Sequence, residues 1–318
     1  MATAISSTMK AWAYSRAGPH RQVLSQTTIP TPKAPTGDQV MIKVAYSGLN
    51  YGDVKTMAMM PSIFRNNAVP AMDYSGTIIA VGPSVPSHLS VGTRVFGILE
   101  TLAMFKGIGS LCEYMCISTS KSMVAPVPAN FSLEDNGGIG ENCGLRMLIN
   151  GSSGGCGTAF VQPNFELVKS LGADRVLDYR ESDPLHVRLA KEFGERPFDI
   201  VIDTVRAQEL YTNSPSYLKE DGIFLNIGDF TNGLFATAWN WLMNWCWPRW
   251  LGGTPRNYVM FGPDINPETV EQLLKLMEKG EIKAVKERTA EFDDVLEAFD
   301  ILASKRTRGR IVVKVAGS

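Results

Sequence analysis

An α/β fold in two parts is what the sequence predicts: a partly open β-barrel, and a parallel sheet flanked by helices. Three observations carry that reading. As far as residue 130, short β-branched or aromatic runs are punctuated by Gly and Pro, the rhythm of a small antiparallel barrel. From residue 147 onward, short apolar runs alternate with stretches of helical spacing, which means parallel strands covered by helices. The length, 318 residues, exceeds what one hydrophobic core usually serves. The expected division is 1–135 with 286–318 for the barrel part and 136–285 for the sheet part.

Taken in order, "KAWAYS" (10–15) alternates like a strand. "QVMIKVAYSGLN" (39–50), "YSGTIIAVG" (74–82), "GTRVFGI" (92–98) and "CEYMCIS" (112–118) are the further barrel strands. The sheet part offers "MLIN" (147–150), "RVLDY" (175–179), "DIVIDTV" (199–205), "GIFLNIG" (222–228) and "YVMFG" (258–262). In "PETVEQLLKLMEKGEI" (267–282), Val270, Leu273, Leu274 and Met277 recur at helical spacing and Gly280 stands as a C-cap. "DDVLEAFDILAS" (293–304) is a second amphipathic helix, and "GRIVVKV" (309–315) is a closing strand that returns to the first part.

Composition narrows the function classes. The chain is 44% hydrophobic and 20% charged, with a net charge of −1 and no long basic run, which argues against a nucleic-acid partner. The most apolar span, "NGLFATAWNWLMNWCWP" (232–248), is broken by Asn, Trp and a closing Pro. It reads as buried or interfacial rather than spanning, and membrane contact is not expected. An alternative use of the Trp-rich stretch 239–250 is to roof an apolar substrate pocket. Cys112, Cys116, Cys143, Cys156 and Cys246 form no C-x-x-C pair, so they are expected to be reduced, buried thiols. His20, His88 and His186 have polar surroundings and no metal-ligand spacing. The N-terminus is rich in Ser and Thr and has no acid before Asp38, but too few residues precede the first strand for a presequence. A cytosolic protein is expected.

The chemistry-bearing motif is "INGSSGGCG" (149–157), with glycines at 151, 154 and 157 directly after a strand and before a helix. Small residues let the backbone approach a pyrophosphate, and the amides at the helix start receive its charge. A tight strand–helix turn also needs glycine for steric reasons alone, so the motif gains weight from its strand-before, helix-after context.

With "SGLNYGDVK" (47–55), "DYSGTIIAVG" (73–82), "GTRVFG" (92–97), "SLCEYM" (110–115), "ELVKSLGADRVLDYRE" (166–181), "FDIVIDTV" (198–205) and "RGRIVVKV" (308–315) in the same order, the chain resembles a medium-chain dehydrogenase/reductase of the zinc-independent quinone oxidoreductase, or enoyl reductase-like, branch. The resemblance runs nearly end to end. It implies a GroES-like catalytic domain beside a Rossmann domain, NADPH as cofactor with NADH as the other option, and a quinone or α,β-unsaturated carbonyl as substrate. Zinc-dependent relatives use a Cys after "G-[IVL]" and a His in "G-H-E"; here those places hold Asn50 and Met72, so no catalytic metal is expected. Asn50 would donate to the substrate oxygen, and Lys55 matches the lysine of "N-P-x-D-[WF]-K". Each has an ordinary reading too, a turn residue for Asn50 and a solvated charge for Lys55. Asp53 is read as a loop anchor.

The same resemblance assigns the pyrophosphate to Gly151, Ser152, Gly154, Gly155, Cys156 and Gly157. It assigns the NADP 2′-phosphate to Asn164 and Tyr179, and the nicotinamide to Thr204, Val205 and Gly228, facing Asn50 and Lys55. Arg310 is added as a cofactor contact from the closing strand. Two family segments have no counterpart: the "A-G-x-T-A-Y" helix before the first Rossmann strand, and the second strand that ends near "C-S-x-x-N". From Gly157 to Arg175 one crossover helix still fits, so "RVLDY" is expected to pair directly with "MLIN", in a sheet one strand short. The gaps are either misjoined gene segments or real losses. The expected activity is hydride transfer from NADPH to a quinone or enone, with a homodimer through "YVMFG". The alternative is a catalytically impaired or cofactor-free relative acting as a binding protein.

Overall fold

The computed structural model describes residues 5–59, 66–127, 146–150, 174–177, 184–205, 207–227, 239, 242–244, 247–260, 275, 286–304, 307 and 310–315. The chain divides into two compact units, Met1–Gly138 with Ile265–Ser318, and Ile139–Asp264.

In the first unit, β1 (Thr8–Ala13) and β2 (Ser25–Pro30) form an antiparallel pair. The main sheet is built on β3 (Gln39–Leu49), whose length lets it take two partners in succession along one edge. Its first half pairs with β6 (Tyr114–Ser118) and its last residues with β13 (Arg310–Lys314), while β4 (Asp73–Val81) runs antiparallel along its other edge. The sheet continues from β4 to β5 (Arg94–Ile98) and β7 (Ala125–Pro126), and from β13 to β12 (Lys286–Glu291). Two register shifts interrupt the β3–β4 ladder. Such bulges bend a strand and sharpen its twist, as a partly open barrel requires.

The barrel's core follows from alternation. Val40, Ile42 and Val44 of β3 are fully buried, with Tyr74 and Ile78 of β4 against them. Tyr74 also donates its hydroxyl to Met123 O at 2.7 Å. Helices described in this unit include α1 (His20–Val23), α2 (Tyr51–Met59), α3 (Thr101–Phe105) and, after the second unit's elements, α6 (Val295–Ala303). The last buries Val295, Ala298, Phe299 and Leu302, one face at helical spacing. Trp12 Nε1 donates to Phe292 O at 2.6 Å, and Arg21 forks onto Asp300. The two ends of the chain thereby share one core.

The second unit holds a parallel sheet in chain order, β8 (Met147–Asn150), β9 (Phe198–Asp203), β10 (Leu218–Asn226) and β11 (Asn257–Met260). With β8 as first strand, this is the half of a doubly wound sheet on one side of its topological switch point. Helices α4 (Leu185–Phe193) and α5 (Gln208–Thr212) lie between strands in sequence, and Leu189, Leu210 and Tyr211 join Phe198, Val201 and Phe224 in a second core.

Five expectations need correction or placement. Arg175, Val176 and Leu177 of "RVLDY" are not in a strand; Arg175 instead pairs with Glu192 and lies over the Phe193 ring, so side chains tie the run to α4. Cys116 is half-buried rather than buried, because β6 turns Met115 and Ile117 inward. His20 opens helix α1 but is buried: it lies 5.7 Å from the Phe299 ring and 2.8 Å from Asp300. The tryptophan-rich stretch does not bury its described indoles; Trp239, Trp247 and Trp250 are exposed. Of the helix at 267–282, all but Lys275 lies outside the described residues, and Lys275 is helical.

Candidate active site

The site in the first unit begins where β3 ends. Asn50 precedes α2, and Asp53 sits three residues on. Asp53 Oδ2 accepts the Asn50 backbone N–H at 2.7 Å, while the Asp53 N–H donates to Asn50 O at 2.9 Å. This reciprocal cap satisfies amides that a helix start leaves open. Burial pushes the Asp53 carboxyl up to about 7, the nearby Asp73 charge adding to the rise and the Asn50 and Ala71 amides opposing it.

The Asn50 side chain then reaches the start of β4, donating from Nδ2 to Asp73 Oδ2 at 2.9 Å. Arg310, at the start of β13, meets the same oxygen at 3.0 Å. Asp73 is held from behind by Ser110, whose hydroxyl donates to Asp73 O at 2.7 Å and pairs with Ser47 Oγ at 2.7 Å. The approach is close because Gly48 stands opposite: a Cβ there would lie 3.1 Å from Asp73 Cβ. Charge is thus balanced within the cluster, carboxylate against guanidinium, with a neutral amide oriented between them.

Lys55 follows one turn later on α2, with Nζ 5.0 Å from the Tyr51 ring centroid, within cation–π range. Asp53, Thr56, Ala71, Met72 and Met104 line a small cleft beside the cluster. Ala71 adopts φ +71°, a conformation costly for a non-glycine residue; its carbonyl accepts the Ser110 N–H at 2.9 Å.

In the second unit, register aligns Asn150, Asp203 and Asn226 in one row across the carboxyl ends of β8, β9 and β10. Open parallel sheets bind their ligands there. Asp203, 1% exposed, accepts three N–H donors: Asn150 Nδ2 at 2.9 Å, Val205 N at 3.0 Å and Ala207 N at 2.7 Å. Thr204 donates both its amide (3.1 Å) and its hydroxyl (3.0 Å) to Asn150 O. The Val205 side chain is exposed, free to meet the face of a ring.

Of the residues read from sequence, Asn50 and Arg310 meet on Asp73, and Lys55 shares their unit. Thr204 and Val205 stand together after β9. Gly151, Ser152, Gly154, Gly155, Cys156, Gly157, Asn164, Tyr179 and Gly228 lie outside the described residues. Asp73, Asn150 and Asp203 were not among the sequence candidates. The signal for Asp203 was present, an acid closing the apolar run "FDIVIDTV", where a charge must find partners. No group of three or more His, Cys, Asp or Glu converges on a common point among the described residues.

Comparison with known proteins accords with this architecture. Residues 36–129 match the alcohol dehydrogenase GroES-like domain and residues 171–313 match the zinc-binding dehydrogenase family. A trans-enoyl reductase of Aspergillus terreus, pgmF, is 32% identical across 99% of this chain and 98% of its own. The medium chain reductase pydE of an Acremonium species is 29% identical across 98% of this chain and 100% of its own. The first of these alignments runs over 366 residues although the chain has 318, so that relative carries residues with no counterpart here. Among solved structures, the quinone oxidoreductase from Coxiella burnetii superposes with a TM-score of 0.75 at 23% identity, covering 97% of this chain and 100% of that one. The chain belongs to the medium-chain dehydrogenase/reductase superfamily, in its enoyl reductase-like branch.

Proposed function

We propose that this oxidoreductase uses NADPH, without zinc, to reduce an α,β-unsaturated carbonyl or a quinone, acting in the cytosol. The observation that carries the reading is the cluster of Asn50, Asp73 and Arg310. A zinc site needs thiolate, imidazole or carboxylate ligands around one point. This cluster offers one carboxylate, and two N–H donors already occupy its Oδ2. Such a donor set does not fit zinc.

Bound NADPH supplies a hydride, which in enone reduction goes to the carbon remote from the carbonyl. The charge then arrives on the substrate oxygen, where a positioned donor stabilises it. Asn50 has a second amide hydrogen beyond the one held by Asp73, and this is the donor assigned to that oxygen. Lys55 contributes a positive charge from the same helix. At the sheet's carboxyl ends, Asp203 fixes the Thr204–Val205 turn by taking three donors, and exposed Val205 suits an apolar ring face. The relatives named trans-enoyl reductase favour the enone over the quinone. A homodimer through the edge strand β11, whose Val259 and Met260 are exposed, belongs to the same reading.

The test has two parts. NADPH fluorescence should rise on mixing with the protein, and NADPH should be oxidised when enones are supplied. Asn50→Ala should keep the fluorescence change and lower kcat about a hundredfold, the scale of one lost oxyanion donor. Binding without turnover on any enone or quinone would favour the binding-protein alternative. No NADPH binding would remove the cofactor from this reading.

A further inference from the structure

Asn50 is gripped by two carboxylates at once. Its main-chain N–H donates to Asp53 Oδ2 at 2.7 Å, and its side-chain Nδ2 donates to Asp73 Oδ2 at 2.9 Å. The two acids differ in what balances them. Asp73 has the Arg310 guanidinium at 3.0 Å. Asp53, 8% exposed, has the Asn50 and Ala71 amides for partners and no cation among the described residues. The Ala71 amide donates to Asp53 although that residue sits at φ +71°. One carboxyl thus joins the start of α2 to the turn that delivers Asp73, the two segments between which the Asn50–Asp73 bond is made.

The surrounding elements do not supply a counter-charge. His20 and Arg21 of α1 are held by Asp300 of α6, whose Glu297 pairs with Arg288. Lys106, after α3, pairs with Glu100, and Lys55 of α2 itself lies over the Tyr51 ring. Tyr14 is the other titratable side chain lining the cleft beside Asp53. A carboxylate at position 53 therefore puts a second negative charge on a cluster that holds one guanidinium. Burial and the Asp73 charge both favour the neutral acid there.

We propose that Asp53 is a positioning residue for the reduction: as a neutral carboxyl it sets the Asn50 amide against the substrate oxygen, and as a carboxylate it opposes the charge arriving there. This rests on the reading of Asn50 as the donor to that oxygen. With NADPH and cyclohexenone, the parent's kcat should fall as pH rises through about 7. The fall should be on the order of tenfold, the effect of one uncompensated like charge near the reacting oxygen. Circular dichroism should show each protein folded throughout. Asp53→Asn keeps an acceptor and does not ionise, so it should hold the parent's low-pH kcat across the range. Asp53→Ala lacks the acceptor and should lose about tenfold in kcat at low pH, with the KM for NADPH unchanged. Parallel pH profiles for the parent and Asp53→Asn overturn the proposal, as does a parental kcat in Asp53→Ala. If Asp53→Ala fails to fold, the Asp53→Asn profile decides alone.

A second readout needs no turnover. In nitrogen-15 NMR spectra, the parent's Asn50 main-chain and side-chain signals should shift together as pH passes about 7, and they should stay fixed in Asp53→Asn. Asn50 signals that do not move in the parent overturn the proposal. If they titrate while no enone or quinone is reduced, the failure lies with the proposed reaction and not with the hold of Asp53 on Asn50.

Discussion

Asp53 holds its proton well above the range of a free aspartate. Burial, reinforced by the charge of Asp73, raises it to about 7, against about 3.9 in an unfolded chain. The folded state thus binds this proton more tightly than the unfolded state does. Its contribution to stability is complete below about pH 3.9 and is lost as pH rises through 7. The chain should become less stable as pH rises from about 5 to about 8, by an amount on the order of a few kcal/mol. Asp53→Asn keeps a carbonyl to accept the Asn50 amide and removes the titration. Its denaturant midpoint should be flat across that window while the parent's falls. Parallel pH profiles for the two proteins would show that Asp53 is not the group responsible. The consequence reaches the site, because the carboxyl that titrates also caps the helix carrying Lys55.

At the scale of elements, the end of β8 shows what one polar pair does for a short strand. Four residues give β8 a single described ladder, with β9, and Asn150 adds a side-chain tie to Asp203 at its carboxyl end. Asn150→Ala removes that tie and leaves Asp203 with the Val205 and Ala207 amides. The expected cost is about 1 kcal/mol in chemical denaturation, the worth of one hydrogen bond with its acceptor still partly satisfied. Under the proposed function, the NADPH dissociation constant should rise as well, because the lost Nδ2 bond helps to fix the Asp203 oxygen that holds the Val205 amide. A variant that matches the parent in both measurements would mean that the ladder alone positions the strand end.

The elements also show what was readable in advance. Strands β3 and β4 and helix α6 were legible because burial on one face writes its period into the sequence. Strand β2, "SQTTIP", was not: it buries no residue, so it has no apolar period to read. "RVLDY" looked like a strand because its composition suits one, but its arginine is held by α4. In the first unit, Asn50 and Lys55 were singled out through motif context. Asp73 was not, because its importance lies in two partners, 23 residues before it and 237 after, that only the folded barrel brings together. The tryptophans misled for the same reason, since composition cannot distinguish an indole that fills a core from one held outward by its neighbours.

Across the whole molecule, the two hydrophobic cores share no residue among those described. Phe299 is fully buried in the first and Phe224 in the second, and each Phe→Ala change should cost about 3–5 kcal/mol. In calorimetry, Phe299→Ala should lower one component of the unfolding endotherm and Phe224→Ala another. The proposed cofactor reading then makes a sharper demand. The sheet's carboxyl ends belong to the second unit, so NADPH at a hundredfold excess over its dissociation constant should stabilise the component sensitive to Phe224→Ala by about 2.7 kcal/mol. The component sensitive to Phe299→Ala should move less. If both rise together, the units melt as one body. If neither moves, the second unit does not hold the cofactor, although its strands lie in the order that would allow it.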